Sequence, residues 1–273
     1  MDIKALIALP FNLPSLPRVM ALLLFELERP ELNLLRITQL VSSDPCLTAR
    51  LMTVANAPYF QLSGQVRSVS ESLALLGIGQ VRSMAAEAVA SSSFKVAPGL
   101  NLQQFSTYSH NVGKVARSLA GVLRLNQQAA FTCGLVHAMG ELALLQLQPA
   151  EMAEVSTDAT PLNLRRAEFE MRHFGYCYAH VGATMAQRWA YPQDMVDALE
   201  HQCDPFANDV YEPLAGVLHL ATWRARAKEA NLDQRGMAVT FPGEVGDMLK
   251  LDIDMVLQQD PIDWFSARSA KPS

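Results

Sequence analysis

The sequence predicts an all-α fold, a bundle of many helices packed on one another. Three observations predict it. Apolar residues recur at helical spacing through most of the 273 residues, as on the core-facing stripe of a packed helix. No segment shows the strict apolar–polar alternation of a half-buried strand. Prolines tend to fall where helices begin, because the first turn has no use for the missing amide donor.

Taken in order, Pro17 opens an apolar stretch, Val19-Met20-Ala21-Leu22-Leu23-Leu24-Phe25, expected to stay helical to about Glu28. A second helix is expected over 32–41. The third begins at Ser43 or Asp44 as N-cap with Pro45 in the first turn, and it buries Leu47, Leu51 and Val54 at helical spacing. Asn56-Ala57-Pro58 ends it, since a residue before proline resists the α conformation. Ser70 caps a short helix through Leu76, and Gly77-Ile78-Gly79 punctuates before another to about Ser92.

The segment 93–100, with Pro98-Gly99, reads as a connector between helical halves. Long helices are then expected near 102–123 and 127–147, with a break at Pro149. Another should run from Thr160-Pro161 to His173 and stop at Gly175, a glycine suited to the left-handed position after a helix. Further helices are expected near 177–189, 192–202, 212–229, 243–250 and 253–259, followed by a polar end, 266–273, expected to be disordered. The expected division is an N-terminal helical part over 1–98, a second helical part over 99–228 and a C-terminal helical extension over 229–273.

Composition narrows the function. Residues 1–98 carry 8 basic and 7 acidic side chains, 99–225 carry 8 and 12, and 226–273 carry 6 and 8. No part is basic, so the electrostatic footprint of a nucleic-acid binder is missing. No apolar run reaches the roughly 18–20 residues needed to span a bilayer. The start, with an acid at Asp2 and Pro10 close behind, is unlike a signal peptide. Cys46, Cys133, Cys177 and Cys203 are scattered and read as reduced thiols. The expectation is a cytoplasmic protein with no membrane insertion.

Histidines carry the chemical information. His110, His137, His180 and His201 sit on four different expected helices, an arrangement from which imidazoles can converge inside a bundle. A helical histidine standing alone is nonetheless more often a core residue satisfied by hydrogen bonds. The local sequences sharpen the reading. Tyr108-Ser109-His110, Gly134-Leu135-Val136-His137-Ala138-Met139-Gly140-Glu141-Leu142, Tyr178-Ala179-His180, Trp189-Ala190-Tyr191-Pro192, Ala198-Leu199-Glu200-His201 and His219-Leu220-Ala221-Thr222 resemble, in order and spacing, the HD phosphohydrolase superfamily. The N-terminal half, with Leu13-Pro14-Ser15-Leu16-Pro17, Ser43-Asp44-Pro45, Ala55-Asn56-Ala57 and Ser70-Glu71-Ser72-Leu73, is similar to the HDOD branch. The resemblance covers about 12–225. It implies an HD-like bundle with an N-terminal helical subdomain packed on an HD-like subdomain, working in bacterial two-component or cyclic-dinucleotide signalling.

The same resemblance makes catalysis doubtful. In the superfamily two histidines, the aspartate following the second and a distant aspartate hold a divalent cation that activates water. His110 and His137 stand at the histidine positions, but Ala138 and Thr222 stand where the aspartates belong. Both anionic ligands are gone, so neither metal nor other cofactor is expected. A substitute zinc or other transition-metal site from His110, His137, Glu141 and His180 is the alternative, since Glu141 is four residues after His137 and both side chains are expected on one face of a helix. His180 and His201 match positions where related phosphodiesterases recruit metal or phosphate contacts. They join His110, His137 and Glu141 as ligand-pocket candidates.

Sequence alone thus favours a non-catalytic signalling module that binds a partner in trans, such as a sensor kinase, a response regulator or a GGDEF-type cyclase. The competing readings are a phosphohydrolase or phosphodiesterase with an unorthodox site, and a nucleotide-binding sensor without turnover.

Overall fold

A computed structural model describes residues 2–60, 65–90, 100–207 and 210–258, and every regular element among them is a helix. The expected connector at 93–99 and the expected disordered end at 266–273 lie outside the described residues. A short helix not foreseen, α1 (Ile3–Leu6), precedes α2 (Pro17–Glu28), which starts on its proline as expected. Helix α3 (Leu34–Ser42) begins two residues later than expected, because the Asn33 side chain caps it by accepting from the Arg36 amide at 2.9 Å. Asp44 caps α4 (Pro45–Ala55), accepting from the amides of Cys46 at 2.8 Å and Leu47 at 3.0 Å. Its other oxygen accepts from the Leu16 amide at 2.6 Å, tying the start of α2 to the start of α4. Helix α5 (Val69–Ala90) is interrupted at Gly77, whose φ of +67° is the left-handed region open to glycine.

In the second half, α6 (Leu102–Val122) matches expectation, but the helix expected over 127–147 is two. Helix α7 (Gln127–Val136) ends at His137, Ala138 leaves helical geometry at φ −107°, ψ 19°, and α8 (Met139–Leu147) follows. His137 and Glu141 therefore belong to different helices, and the shared face inferred from their spacing does not exist. The break expected at Pro149 is present: α8 ends at Leu147, Gln148 leaves helical geometry, and Pro149 opens α9 (Pro149–Asp158). Helix α10 (Arg166–Phe174) starts later than Thr160, because the Asn163 side chain accepts from the Arg165 amide at 2.8 Å and holds a turn. It ends at Gly175, at φ +79°, as expected. The remaining helices are α11 (Tyr178–Arg188), α12 (Gln193–His201), α13 (Pro213–Glu229), α14 (Gln234–Thr240), α15 (Gly243–Leu249) and α16 (Ile253–Gln258).

Helix α6 packs on α7 and α13, α11 packs on α8 and α12, and α4 joins the N-terminal helices to α7. One apolar core runs from Leu6 to Val256. It includes Val245, Leu249, Leu251 and Val256, so the C-terminal extension packs on the bundle through α13 and α15. Two crossings are backbone on backbone. A Cβ on Gly134 would lie 2.5 Å from Gly113 Cα, bringing α7 against α6. A Cβ on Gly140 would collide with the Tyr178 carbonyl and lie 2.7 Å from the Gly182 amide, bringing α8 against α11.

Among the described residues the stretch Gln127–Leu147 is long and apolar enough to cross a membrane by composition, contrary to the reading that no run qualifies. In the fold it is the bent pair α7–α8, mostly buried in the protein.

Candidate functional site

The break between α7 and α8 sets the site. His137, at the end of α7, is fully buried, and both ring nitrogens are taken by the protein. Its Nδ1 lies 2.8 Å from the Gly134 carbonyl oxygen. That oxygen can only accept, so Nδ1 carries the proton. Nε2 is then an acceptor, and it receives the hydroxyl of Tyr108 on α6 at 2.9 Å. The same phenol oxygen accepts from Arg226 Nε on α13 at 3.0 Å. Arg226, Tyr108, His137 and Gly134 thus form one directional chain of hydrogen bonds. Burial lowers the His137 pKa from 6.5 to about 3, so the imidazole is neutral. Burial also raises that of Tyr108, against the pull of Arg226, so the phenol keeps the proton it donates.

The arrangement does not fit the metal site of the HD superfamily. The nitrogen of His137 that a cation would need already binds Tyr108, and a guanidinium stands one hydroxyl away. Ala138, buried, offers no ligand atom, and Thr222 offers a neutral hydroxyl. His110 on α6 turns elsewhere: its Nδ1 is 3.3 Å from the Ser42 carbonyl and its ring meets Phe131 edge to face. Burial, then Lys114, lowers its pKa, which the Ser42 carbonyl partly offsets. Among the described residues no group of three or more His, Cys, Asp or Glu is placed to hold a metal ion.

Glu141 also has a different use. It is buried and lies 2.8 Å from Arg166, whose Nε donates to Glu170 at 2.8 Å. Glu170 in turn accepts from the Tyr178 amide at 2.7 Å, anchoring the start of α11. Burial, and then Glu141 beside it, push the Glu170 carboxyl well above the ordinary carboxylate range. The substitute site of His110, His137, Glu141 and His180 is therefore not assembled: Glu141 belongs to an ion-pair triad joining α8 and α10.

His180 caps its own helix, its Nδ1 accepting from the Cys177 amide at 3.2 Å. A hydrogen bond with Cys177 raises its pKa, against burial. His201 ends α12, half-buried. His219 donates from Nδ1 to the Gln202 carbonyl at 2.8 Å, and Gln202 Nε2 donates to the His137 carbonyl at 3.0 Å.

Gln202 and His219 border a cavity of about 310 Å³. Its wall includes Tyr178, Gln202, Cys203, His219, Thr222 and Arg226. His110, His137, Glu141, His180 and His201 are not on it. Sequence reading missed Arg226, Tyr108, Arg166 and Glu170. The signals were present as spacings: Arg226 is one turn beyond Thr222, and Arg166 and Glu170 are one turn apart. A larger cavity, about 470 Å³, lies away from these residues, between the segment around Phe11, α4 and Trp189.

The sequence profile of the HDOD domain matches residues 13–205. The chain belongs to the HDOD family. Its structure is similar to that of the MmoQ response regulator from Methylococcus capsulatus str. Bath, with a TM-score of 0.72 at 23% identity over 92% of this chain and 98% of that one. A virulence factor from Campylobacter jejuni subsp. jejuni gives a TM-score of 0.70 at 18% identity, covering 99% and 98%. An HDOD domain protein from Geobacter sulfurreducens gives 0.51 at 21%, covering 93% and 90%. At these identities the likeness is one of fold. In sequence the chain is 23% identical to an uncharacterized protein of Treponema pallidum (strain Nichols) over 227 residues, which is 79% of this chain and 42% of that protein. This HDOD chain thus spans less than half the length of that relative.

Proposed function

We propose that this HDOD protein is a non-catalytic signalling module that relays a signal by binding a protein partner, such as a sensor kinase, a response regulator or a GGDEF-type cyclase. The observation that carries the non-catalytic part is the state of His137. An imidazole whose two nitrogens are spent on Gly134 and Tyr108 has no lone pair for a cation. Ala138 and Thr222 supply no anionic oxygen beside it. Losing a group that only orients a metal ligand typically weakens metal binding or activity about 10–100-fold, and here the ligands themselves are missing. Membership of the HDOD family and a fold shared with a response regulator support the signalling part.

Elemental analysis of the purified protein, paired with an assay on bis(p-nitrophenyl) phosphate and a cyclic dinucleotide with added Mn²⁺, tests the reading. The expected result is no stoichiometric metal and no turnover. Near-stoichiometric metal together with turnover overturns it. The double variant Ala138→Asp/Thr222→Asp, in the further background Tyr108→Phe that clears His137 Nε2, is expected to gain metal binding if those positions are the vacated ligands.

A further inference from the structure

Arg226 is buried, with 4% of its surface exposed, and it lines the cavity of about 310 Å³ between α10, α13 and the start of α15. Burying a guanidinium costs several kcal/mol unless charge answers charge. Among the described residues the ion pairs involve other groups, and none reaches Arg226. What surrounds it is weaker: the Tyr108 hydroxyl on Nε, and the rings of Tyr108 and Tyr178 at 5.9 and 5.2 Å from the guanidinium carbon. Two further groups on the wall are incomplete. Thr222 Oγ1 and Gln202 Oε1 are buried without a hydrogen-bond partner. Each such group in a folded protein calls for an explanation.

One ligand answers all three. An anionic oxygen would balance Arg226 and accept from Thr222, and a hydroxyl or amine on the same molecule would donate to Gln202. The wall also carries Leu164, Trp223 and Pro242, apolar cover for a small organic body, and the mutually paired Arg165 and Glu168. The volume lies at the lower end of ordinary small-molecule sites, about 300–1,000 Å³.

We infer that this cavity binds a small organic anion, a carboxylate or phosphate monoester bearing a hydroxyl or amine, with Arg226 as its charge partner. The inference rests on the non-catalytic reading only in that the molecule is held and not turned over.

The full chain is titrated calorimetrically with mandelate and with ribose 5-phosphate, against the neutral counterparts benzyl alcohol and ribose, and against inorganic phosphate. One organic anion is expected to bind one-to-one more tightly than about 1 mM, while its neutral counterpart does not bind. Thr222→Val, which keeps shape and removes the hydroxyl, is expected to weaken binding at least about fivefold. Ala167→Trp, which puts a large ring into the cavity that Ala167 lines, is expected to abolish it, and circular dichroism establishes that both variants are folded. No binding by either anion, or binding unchanged in both variants, overturns the inference. Equal binding of inorganic phosphate overturns the organic part of it. Hydrolysis of bound ribose 5-phosphate leaves the site standing and overturns the non-catalytic function instead.

Discussion

The side chains of Arg226 and His137 never touch, yet they are joined through a single hydroxyl: Tyr108 accepts from Arg226 at 3.0 Å and donates to His137 at 2.9 Å. The cation fixes which way the phenol points, and the phenol fixes the tautomer of the histidine. Polar chains buried in this way stabilise only when every member is satisfied.

Removing that hydroxyl is therefore the most direct perturbation. Tyr108→Phe leaves a buried guanidinium nitrogen and a buried imidazole nitrogen without partners. It is expected to lower unfolding stability by about 2–4 kcal/mol, read by urea denaturation. A loss under about 0.5 kcal/mol, the size of an ordinary surface change, would show that the chain of hydrogen bonds contributes little.

His137 gives the protein a predictable response to acid. Its pKa is near 3 in the fold against an ordinary 6.5, so between these values the unfolded chain binds the proton and the folded one does not. Its contribution is complete above about pH 6.5 and declines as pH falls toward 3, by roughly 4–5 kcal/mol over the window. His110 and His219 are lowered as well, chiefly by burial, and act in the same direction. Glu170 acts in the opposite one, because its raised pKa favours the fold more at low pH. Denaturation midpoints measured from pH 4 to 7 should rise more steeply for the natural protein than for His137→Gln. Parallel curves would refute the assignment.

The triad of Glu141, Arg166 and Glu170 predicts an asymmetry. Arg166→Ala leaves two buried carboxyl groups facing each other and is expected to cost about 3–5 kcal/mol. Arg166→Met combined with Glu141→Leu and Glu170→Gln, which keeps an acceptor for the Tyr178 amide, is expected to recover most of that loss. A combined variant no more stable than Arg166→Ala would count against the account.

Cys203 should be the reactive thiol. The hydrogen bond from Cys177 lowers its pKa; burial opposes this, and Tyr178 and Arg226 add to the lowering. It also borders the cavity and is only partly covered. Cys46 and Cys133 are buried, with pKa values raised chiefly by burial. Under native conditions iodoacetamide is expected to label Cys203 first, as mass spectrometry of the digest can show. First labelling at Cys46 or Cys133 would contradict this ordering.

The fold was largely legible because its signals are local. Pro17, Asp44-Pro45 and Gly175 marked helix ends, and periodicity marked what lay between them. The break at His137–Ala138 was not legible, since both flanks are apolar and helix-compatible and no proline or glycine marks the turn. What bends the chain there is tertiary: Gln202 holds the His137 carbonyl, and Gly140 sits against Tyr178. At the site, the neutral side chains of Ala138 and Thr222 were legible, and the buried cations were not. Nothing in the sequence distinguishes Arg226 and Arg166 from solvated helix charges, whereas the packing encloses both.

The glycine crossings have one more consequence. Where α6 meets α7 and α8 meets α11, main chain lies on main chain, with no layer of side chains between them to yield. Helices joined in that way cannot roll or slip past each other by a turn. A displacement transmitted through these helices has to carry each such pair together as a rigid block.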